Sequence, residues 1–209
     1  MPKGSPELTL ARKEEIISAC RKLYETMSFK DITLKEIGQQ SSFTRTSIYN
    51  YFETKEEIFL ALFTQEYELF AKDLDGLCEH RETLSTDDLS SELARALERR
   101  PLMLKLLSMN LYDMEANSRM ERLIEFKAAY GESKNAVDRC LQKFCPELDE
   151  AARQTFLYAF LPFVYGLYPY TMVTEKQKEA MNVAGISYVY MSTYDMAYTS
   201  IRTLLKGLH

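Results

Sequence analysis

The chain has 209 residues, of which 46% are hydrophobic, 27% charged and 12% aromatic. This length and composition fit one or two domains with a hydrophobic core and exclude a largely disordered chain. The formal net charge is −5, but residues 1–60 hold nine basic and nine acidic side chains, so the acidic excess belongs to the remainder.

The N-terminal quarter of the sequence predicts three helices, over residues 8–27, 34–40 and 44–51. Apolar side chains recur at three- and four-residue spacing along the first, as in an amphipathic helix. Thr33 and Thr44 are favourable N-cap residues for the second and the third. Because these two helices are short and joined by a three-residue turn, they predict a helix-turn-helix.

The third predicted helix has an apolar side and a polar side. Ile48 and Phe52 are four residues apart and are expected to face the core. The residues then left on the outer side are Arg45, Thr46, Tyr49 and Asn50. Arginine can donate two hydrogen bonds to guanine, and a threonine methyl group or a tyrosine ring can pack on the methyl group of thymine. The outer side therefore predicts a surface that enters a groove of DNA.

Further along the chain the pattern remains helical. Six more helices are predicted, over residues 55–80, 87–98, 101–114, 118–144, 147–171 and 186–206, with a loose connection at 174–186. No run alternates regularly between apolar and polar residues, and no Asn-Gly or Asp-Gly hairpin signal is present. The expected fold class is all-α, with an N-terminal three-helix helix-turn-helix domain followed by a C-terminal helical domain.

One uncharged stretch, residues 155–174, has the length of a membrane-spanning helix. Its two prolines and four tyrosines are unfavourable in the centre of a bilayer. A helix buried in protein, or one that faces a partner, is the better interpretation. The N-terminus carries no secretion signal, so we expect a cytoplasmic protein without a membrane partner.

Residues suited to catalysis or metal binding are sparse. The two histidines are His80 and His209, and no serine or cysteine lies in the sequence context of an activated nucleophile. We expect no enzymatic activity, no cofactor and no metal. The four cysteines are typical of buried thiols in a reducing compartment, although Cys140 and Cys145 are also candidates for a redox pair.

The run "ITLKEIGQQSSFTRTSIYNYFETKEEIFLALF" resembles the DNA-binding domain of the TetR (tetracycline repressor) family, over about residues 10–63. Ser42 stands at the turn position where the family usually has glycine, which predicts a strained left-handed residue there. The positions that match the family pattern are Thr33, Ile37, Gly38, Thr44, Ile48, Tyr49, Tyr51, Phe52, Lys55, Glu56 and Ile58.

The resemblance implies that the two parts of the chain have different functions. Residues 1–53 would form the DNA-binding domain, and residues 54–209 the ligand-binding and dimerisation domain. Base reading would fall to Arg45, Thr46 and Tyr49. The residues implied to contact phosphate are Thr33, Thr44, Ser47, Asn50, Tyr51 and Lys55.

A single reading helix makes few base contacts, so we expect a homodimer that binds two half-sites of a palindromic operator. The last two predicted helices are the candidates for the dimer interface, as they are in the family, although they could instead pack within one chain. Their candidate interface residues are Phe156, Phe160, Phe163, Tyr188, Met191 and Tyr198.

Methionine and aromatic residues of the C-terminal part predict either plain core or a pocket for an apolar or aromatic ligand. The predicted function is a transcriptional regulator, typically a repressor in this family, that is released from DNA by such a ligand. The alternative is a DNA-binding dimer regulated by a protein partner or by cysteine oxidation. The candidate pocket residues are Met103, Leu107, Tyr112, Phe126, Tyr130 and Tyr165.

Overall fold

The computed structural model describes residues 5–109 and 111–208. Over these residues the regular structure consists of eleven α-helices without a β-strand, which confirms the predicted all-α class. The helices are α1 (Pro6–Thr26), α2 (Leu34–Gln39), α3 (Arg45–Ile48), α4 (Lys55–His80), α5 (Thr86–Glu98), α6 (Pro101–Leu107), α7 (Leu111–Ala116), α8 (Met120–Phe144), α9 (Glu150–Thr171), α10 (Glu175–Val183) and α11 (Thr193–Lys206). His209 lies outside the described residues.

The structure corrects the predicted elements in three places. The helix predicted over 101–114 is two helices, α6 and α7. The loose connection predicted at 174–186 contains α10, which has no buried residue and hence no apolar stripe by which to recognise it. Residues 186–192 are not helical, and α11 begins only at Thr193. Its N-cap is Ser192, whose side chain accepts a hydrogen bond from the backbone of Asp195.

The chain divides into two compact units. Unit 1 comprises Met1–Glu66 and Asn110–Tyr130, and unit 2 comprises Tyr67–Met109 and Gly131–His209. The division falls within α4 and within α8. These units are defined by which parts of the chain pack together and not by function. The functional boundary predicted after residue 53 therefore stays a prediction.

In unit 1, α2 packs against α1 and α3. Thr33 and Thr44 cap α2 and α3 as predicted, because each side chain accepts a hydrogen bond from a backbone N–H of the first turn. Apolar side chains of these helices and of the first half of α4 form the core of this unit, in which the ring of Tyr24 on α1 packs edge to face on that of Phe59 on α4. The fully buried members of that core include Ile16, Cys20, Ile32, Ile37, Ile48, Ile58 and Phe59.

In unit 2, α11 packs against α5 and α9, and α6 also packs against α9. Polar contacts support this arrangement at the edge of the core. The hydroxyl groups of Tyr194 and Ser91 are 2.9 Å apart, and Arg202 Nε donates to Asp87 Oδ1 at 2.7 Å. The buried side chains between these helices include Leu93, Leu97, Leu104, Phe156, Phe160, Ala197 and Ile201.

Among the described helices, none is by itself both long and apolar enough to cross a bilayer. Helices α9 and α10 reach that length and composition only as a pair, and they meet at a bend of 84°.

Candidate nucleic-acid interface

The short helix α3 is anchored on one side and open on the other. Ile48 and Phe52 are buried, as predicted. Arg45, Thr46 and Tyr49 are exposed together on the opposite side. Arg45 Nη2 lies 3.4 Å from the Tyr49 hydroxyl oxygen, one helical turn along. The three candidate base-reading side chains therefore form one contiguous polar surface.

The turn between α2 and α3 is tight but unstrained. A Cβ atom on Gly38 would lie 3.0 Å from the Phe43 carbonyl oxygen, so the missing side chain permits the close approach of α2 to the turn. Ser42 does not have a positive φ, so the predicted left-handed strain at this residue is wrong. Its backbone N–H instead donates to Glu15 Oε1 at 2.7 Å. This bond lowers the pKa of Glu15.

The candidate phosphate-contacting residues differ in what they already bind. Thr33 and Thr44 are exposed, and their hydroxyl oxygens cap α2 and α3. Asn50 is also exposed. Ser47 is half-buried, and its hydroxyl donates to the Thr44 carbonyl at 2.9 Å. Thr33 and Thr44 stand at the starts of the two short helices, whereas Ser47 lies within α3 and Asn50 follows its end.

The other two candidates, Tyr51 and Lys55, also hold unit 1 together. Tyr51 is buried, and its hydroxyl oxygen accepts a hydrogen bond of 3.0 Å from Arg12 Nη1 on α1. Lys55 Nζ donates to the carbonyl oxygens of Phe29 at 2.8 Å and Ile32 at 3.1 Å, and it lies 4.1 Å from the centre of the Phe29 ring. An ammonium group has three N–H donors, so one remains for a phosphate oxygen.

An ion pair between α4 and the residue before α8 could not be recognised from the sequence. Glu57 on α4 is fully buried and accepts hydrogen bonds from Arg119 Nε at 2.6 Å and Nη2 at 2.8 Å. The backbone N–H groups of Arg119 and Glu53 also donate to this carboxylate. The Thr54 hydroxyl oxygen accepts a hydrogen bond from the backbone N–H of Glu57, and the hydroxyl donates to the carbonyl oxygen of Asn117. Glu57 and Arg119 are 62 positions apart in the sequence, so no local motif reveals the pair.

The candidate dimer residues lie in unit 2 and fall into two groups. Phe156 and Phe160 are fully buried inside the chain, so their side chains present no surface to a second subunit. The remaining four are half-buried at the surface of α9, of α11 and of the segment between α10 and α11. They are Phe163, Tyr188, Met191 and Tyr198.

The candidate pocket residues are not equally placed to line a cavity. Met103 and Leu107 are buried in unit 2, where Tyr165 is half-buried. In unit 1, Phe126 is buried, Tyr130 is half-buried and Tyr112 is 85% exposed. Their common role as a pocket stays a prediction.

Unit 2 contains an open groove of about 320 Å³ at the end of α9. The Tyr188 hydroxyl donates to the Tyr170 carbonyl at 3.3 Å across one side of it. Most of its lining is apolar, so it suits an apolar or aromatic group. The lining residues are Pro169, Tyr170, Val173, Gln177, Ala180, Met181 and Tyr188.

Solved structures of regulators share this fold. A transcriptional regulator of the TetR/AcrR family from Thermobifida fusca YX-ER1 superposes with a TM-score of 0.60 at 17% identity, covering 94% of this chain and 98% of that one. The FadR repressor of Thermus thermophilus, solved with lauroyl-CoA, superposes with a TM-score of 0.56 at 18% identity, covering 93% and 94%.

Sequence comparison identifies the family. The chain is 29% identical over 80 residues to the HTH-type transcriptional regulator YfiR of Bacillus subtilis (strain 168), a match that covers 38% of this chain but only 39% of that relative. Residues 16–62 match the family model of bacterial regulatory proteins, tetR family, and residues 64–209 match that of the tetracyclin repressor-like C-terminal domain. Because these two models cover most of the sequence, the chain belongs to the TetR family of DNA-binding transcriptional regulators.

Proposed function

We propose that this regulator is a cytoplasmic repressor that binds a palindromic operator as a homodimer, with Arg45, Thr46 and Tyr49 reading the bases. The observation that carries the proposal is the arrangement of α3. Its three polar side chains are exposed side by side, while Ile48 and Phe52 fix the helix to the core. A helix held in this way can enter the major groove without losing its support.

Phosphate contacts would fix how deeply α3 enters the groove. Thr33 and Thr44 are exposed at the starts of α2 and α3, and Asn50 is exposed just after the end of α3. Their hydroxyl and amide groups can donate to phosphate oxygens. Lys55 would add its remaining N–H donor. Tyr51 would contribute chiefly through its bond to Arg12, which joins α1 to the segment after α3.

The outer side of α9 is the surface that we propose for dimerisation. From Gln154 to Thr174 the sequence has no charged residue. Thr155, Tyr158 and Pro162 follow one another at three- and four-residue spacing and are all exposed. An uncharged helix side of this kind is costly to leave in water, and a second copy of the chain would cover it.

The proposed effector is an apolar or aromatic small molecule. It would bind to the C-terminal part of one or both subunits and change the separation of the two α3 helices, because its affinity differs between the DNA-bound and released states. The groove beside Tyr170 and Tyr188 and the candidate pocket residues are the places to look for it. Acyl-CoA thioesters such as lauroyl-CoA belong in the ligand panel, because an acyl chain is an apolar ligand.

Selection of bound duplexes from a random library tests the proposed operator and the dimer together. We expect the enriched sequences to share a palindrome whose half-sites are about one helical turn, ~34–36 Å, or more apart. An enriched motif without two-fold symmetry would contradict binding as a symmetric dimer. Addition of an effector from the panel should reduce the amount of operator DNA that stays bound to the protein.

A further inference from the structure

Two cysteine side chains meet inside unit 2. Cys78 lies near the end of α4 and Cys140 lies on α8, 62 positions away, and their Sγ atoms are 3.4 Å apart. Cys140 is fully buried, whereas Cys78 is half-buried and open on one side. The sequence spacing favours Cys145 as the partner of Cys140, but the sulfur in contact with Cys140 is that of Cys78.

Polar contacts on both sides of these sulfur atoms hold α4 and α8 in register. About one turn before Cys78, Arg139 binds Asp75 through two hydrogen bonds of 2.9 Å each. On the other side, Lys143 Nζ donates to the carbonyl oxygen of Cys78 at 2.6 Å. The two thiols are therefore kept opposite each other by the surrounding structure.

The sulfur atoms of a disulfide are about 2.0 Å apart, so the present contact must shorten by about 1.4 Å. A rotation of the half-buried Cys78 side chain supplies a movement of that size. We infer that Cys78 and Cys140 form an oxidation site, at which a peroxide converts the two thiols into a reversible disulfide between α4 and α8. This inference does not rest on the proposed repressor function.

The two sulfur atoms have different roles in the reaction. The exposed side of Cys78 admits the peroxide, whose O–O bond breaks as the thiolate attacks, leaving a sulfenic acid on Cys78 and releasing hydroxide, which becomes water. Cys140 then attacks the Cys78 sulfur, the S–O bond breaks, and the oxygen leaves as a second water with the thiol proton. Two electrons pass from the thiols to the peroxide.

Burial favours this order of events. It raises the pKa of Cys140 well above that of a free thiol, and the neighbouring Cys78 sulfur raises it further. Cys140 therefore stays protonated and shielded until the sulfenic acid forms beside it. A thiol reductant reverses the reaction by exchange.

The test is treatment of the purified 209-residue chain with hydrogen peroxide, followed by alkylation under denaturing conditions and peptide mapping. We expect two of the four cysteines to be lost to alkylation and the peptides of Cys78 and Cys140 to be linked. The thermal midpoint should rise by about 5–10 °C, since the bond closes a long loop, and should fall again with dithiothreitol. Four alkylatable thiols after treatment would overturn the inference.

Variants separate this pair from the other thiols. Cys78→Ser changes a half-buried position and should abolish both the linked peptide and the rise in the thermal midpoint. Cys145→Ser is the matched control and should leave both unchanged, because Cys145 is a buried thiol whose pKa is raised to about 11 by burial. A linked peptide that contains Cys145 in the wild type would assign the site to the other pair and contradict the inference.

Discussion

Glu57 is a buried carboxylate that remains charged because of Arg119. Its two oxygen atoms accept hydrogen bonds from the guanidinium group and from backbone N–H groups of Glu53 and Arg119. Deleting one partner of a buried ion pair is more destabilising than the pair is stabilising, because the other partner is left unpaired. Exposed pairs such as Arg202 with Asp87 have much smaller effects.

Arg119→Ala should lower the free energy of unfolding by about 2–4 kcal/mol, because the buried Glu57 carboxylate loses the guanidinium group that pairs with it. Urea denaturation followed by circular dichroism measures the loss. Arg99→Ala is the control, since Arg99 is an exposed residue at the end of α5, and it should change stability by less than about 0.5 kcal/mol. Equal effects of the two substitutions would contradict the role of the buried pair.

The same pair predicts a dependence on pH. Burial by itself would raise the pKa of Glu57, but the bonds from Arg119 and from backbone N–H groups outweigh it, so the pKa is lowered. The stabilisation is therefore present above the ordinary carboxyl pKa and is lost as the pH falls through the folded-state value. In Arg119→Ala, protonation of Glu57 instead neutralises the unpaired carboxylate and so removes part of the loss in stability.

We accordingly expect the difference in unfolding free energy between wild type and Arg119→Ala to shrink as the pH falls from about 7 to about 4. Urea denaturation at several pH values in this range measures it. A difference that stays constant would show that Glu57 does not titrate with the expected shift.

Lys55→Ala should have two effects, because its ammonium group has two roles. Loss of the bonds to Phe29 and Ile32 should lower the unfolding free energy by about 1–3 kcal/mol. Loss of a phosphate contact should weaken all duplexes about equally and reduce the slope of log K against log salt by about one. Binding to operator over a salt series measures the slope. A destabilised variant with an unchanged slope would assign Lys55 a structural role alone.

At the scale of helices, recognition from the sequence depended on what each helix buries. Helices α2 and α3 are recognisable from the sequence because Thr33 and Thr44 are favourable N-cap residues, and both side chains cap these helices. Helix α10 buries nothing, and its clearest signal is the capping box formed by Thr174 and Gln177. Residues 186–192 have a β-prone composition and are predicted as helical because helices are expected on both sides, yet they are not helical, and Ile186 and Val189 are exposed there. Composition alone cannot distinguish a buried helix from an exposed apolar segment.

Helix α9 supplies the prediction for dimerisation. Tyr158 lies on its uncharged outer side and is 73% exposed in the single chain. Tyr158→Asp should raise the dimer dissociation constant by at least about tenfold, because a charge would be buried without a partner. Sedimentation equilibrium at several concentrations measures this constant. Tyr112→Asp, at a tyrosine 85% exposed in unit 1, should leave it unchanged. If both variants dimerise like the wild type, another surface forms the interface.

At the scale of the whole molecule, the exposed polar side of α3 is easier to predict from the sequence than the groups that support it. The pattern of apolar and polar residues predicts that Arg45, Thr46 and Tyr49 lie on the outer side of α3, and all three are exposed. Their base-reading role stays a prediction. The contacts of Arg12 with Tyr51 and of Arg119 with Glu57 join residues 39 and 62 positions apart, and neither has a local signature. Buried aromatic residues likewise do not reveal whether they face a partner subunit or their own core.

The measurement that tests the central claim most directly is the affinity of Arg45→Ala for the selected operator and for an unrelated duplex at the same salt concentration. Loss of a bidentate base contact should weaken operator binding by about 1–3 kcal/mol and relax the preference at one base pair in each half-site, with little change on the unrelated duplex. Arg99→Ala should leave both affinities unchanged. An equal loss on both duplexes would show that Arg45 contacts the phosphate backbone and does not read the sequence.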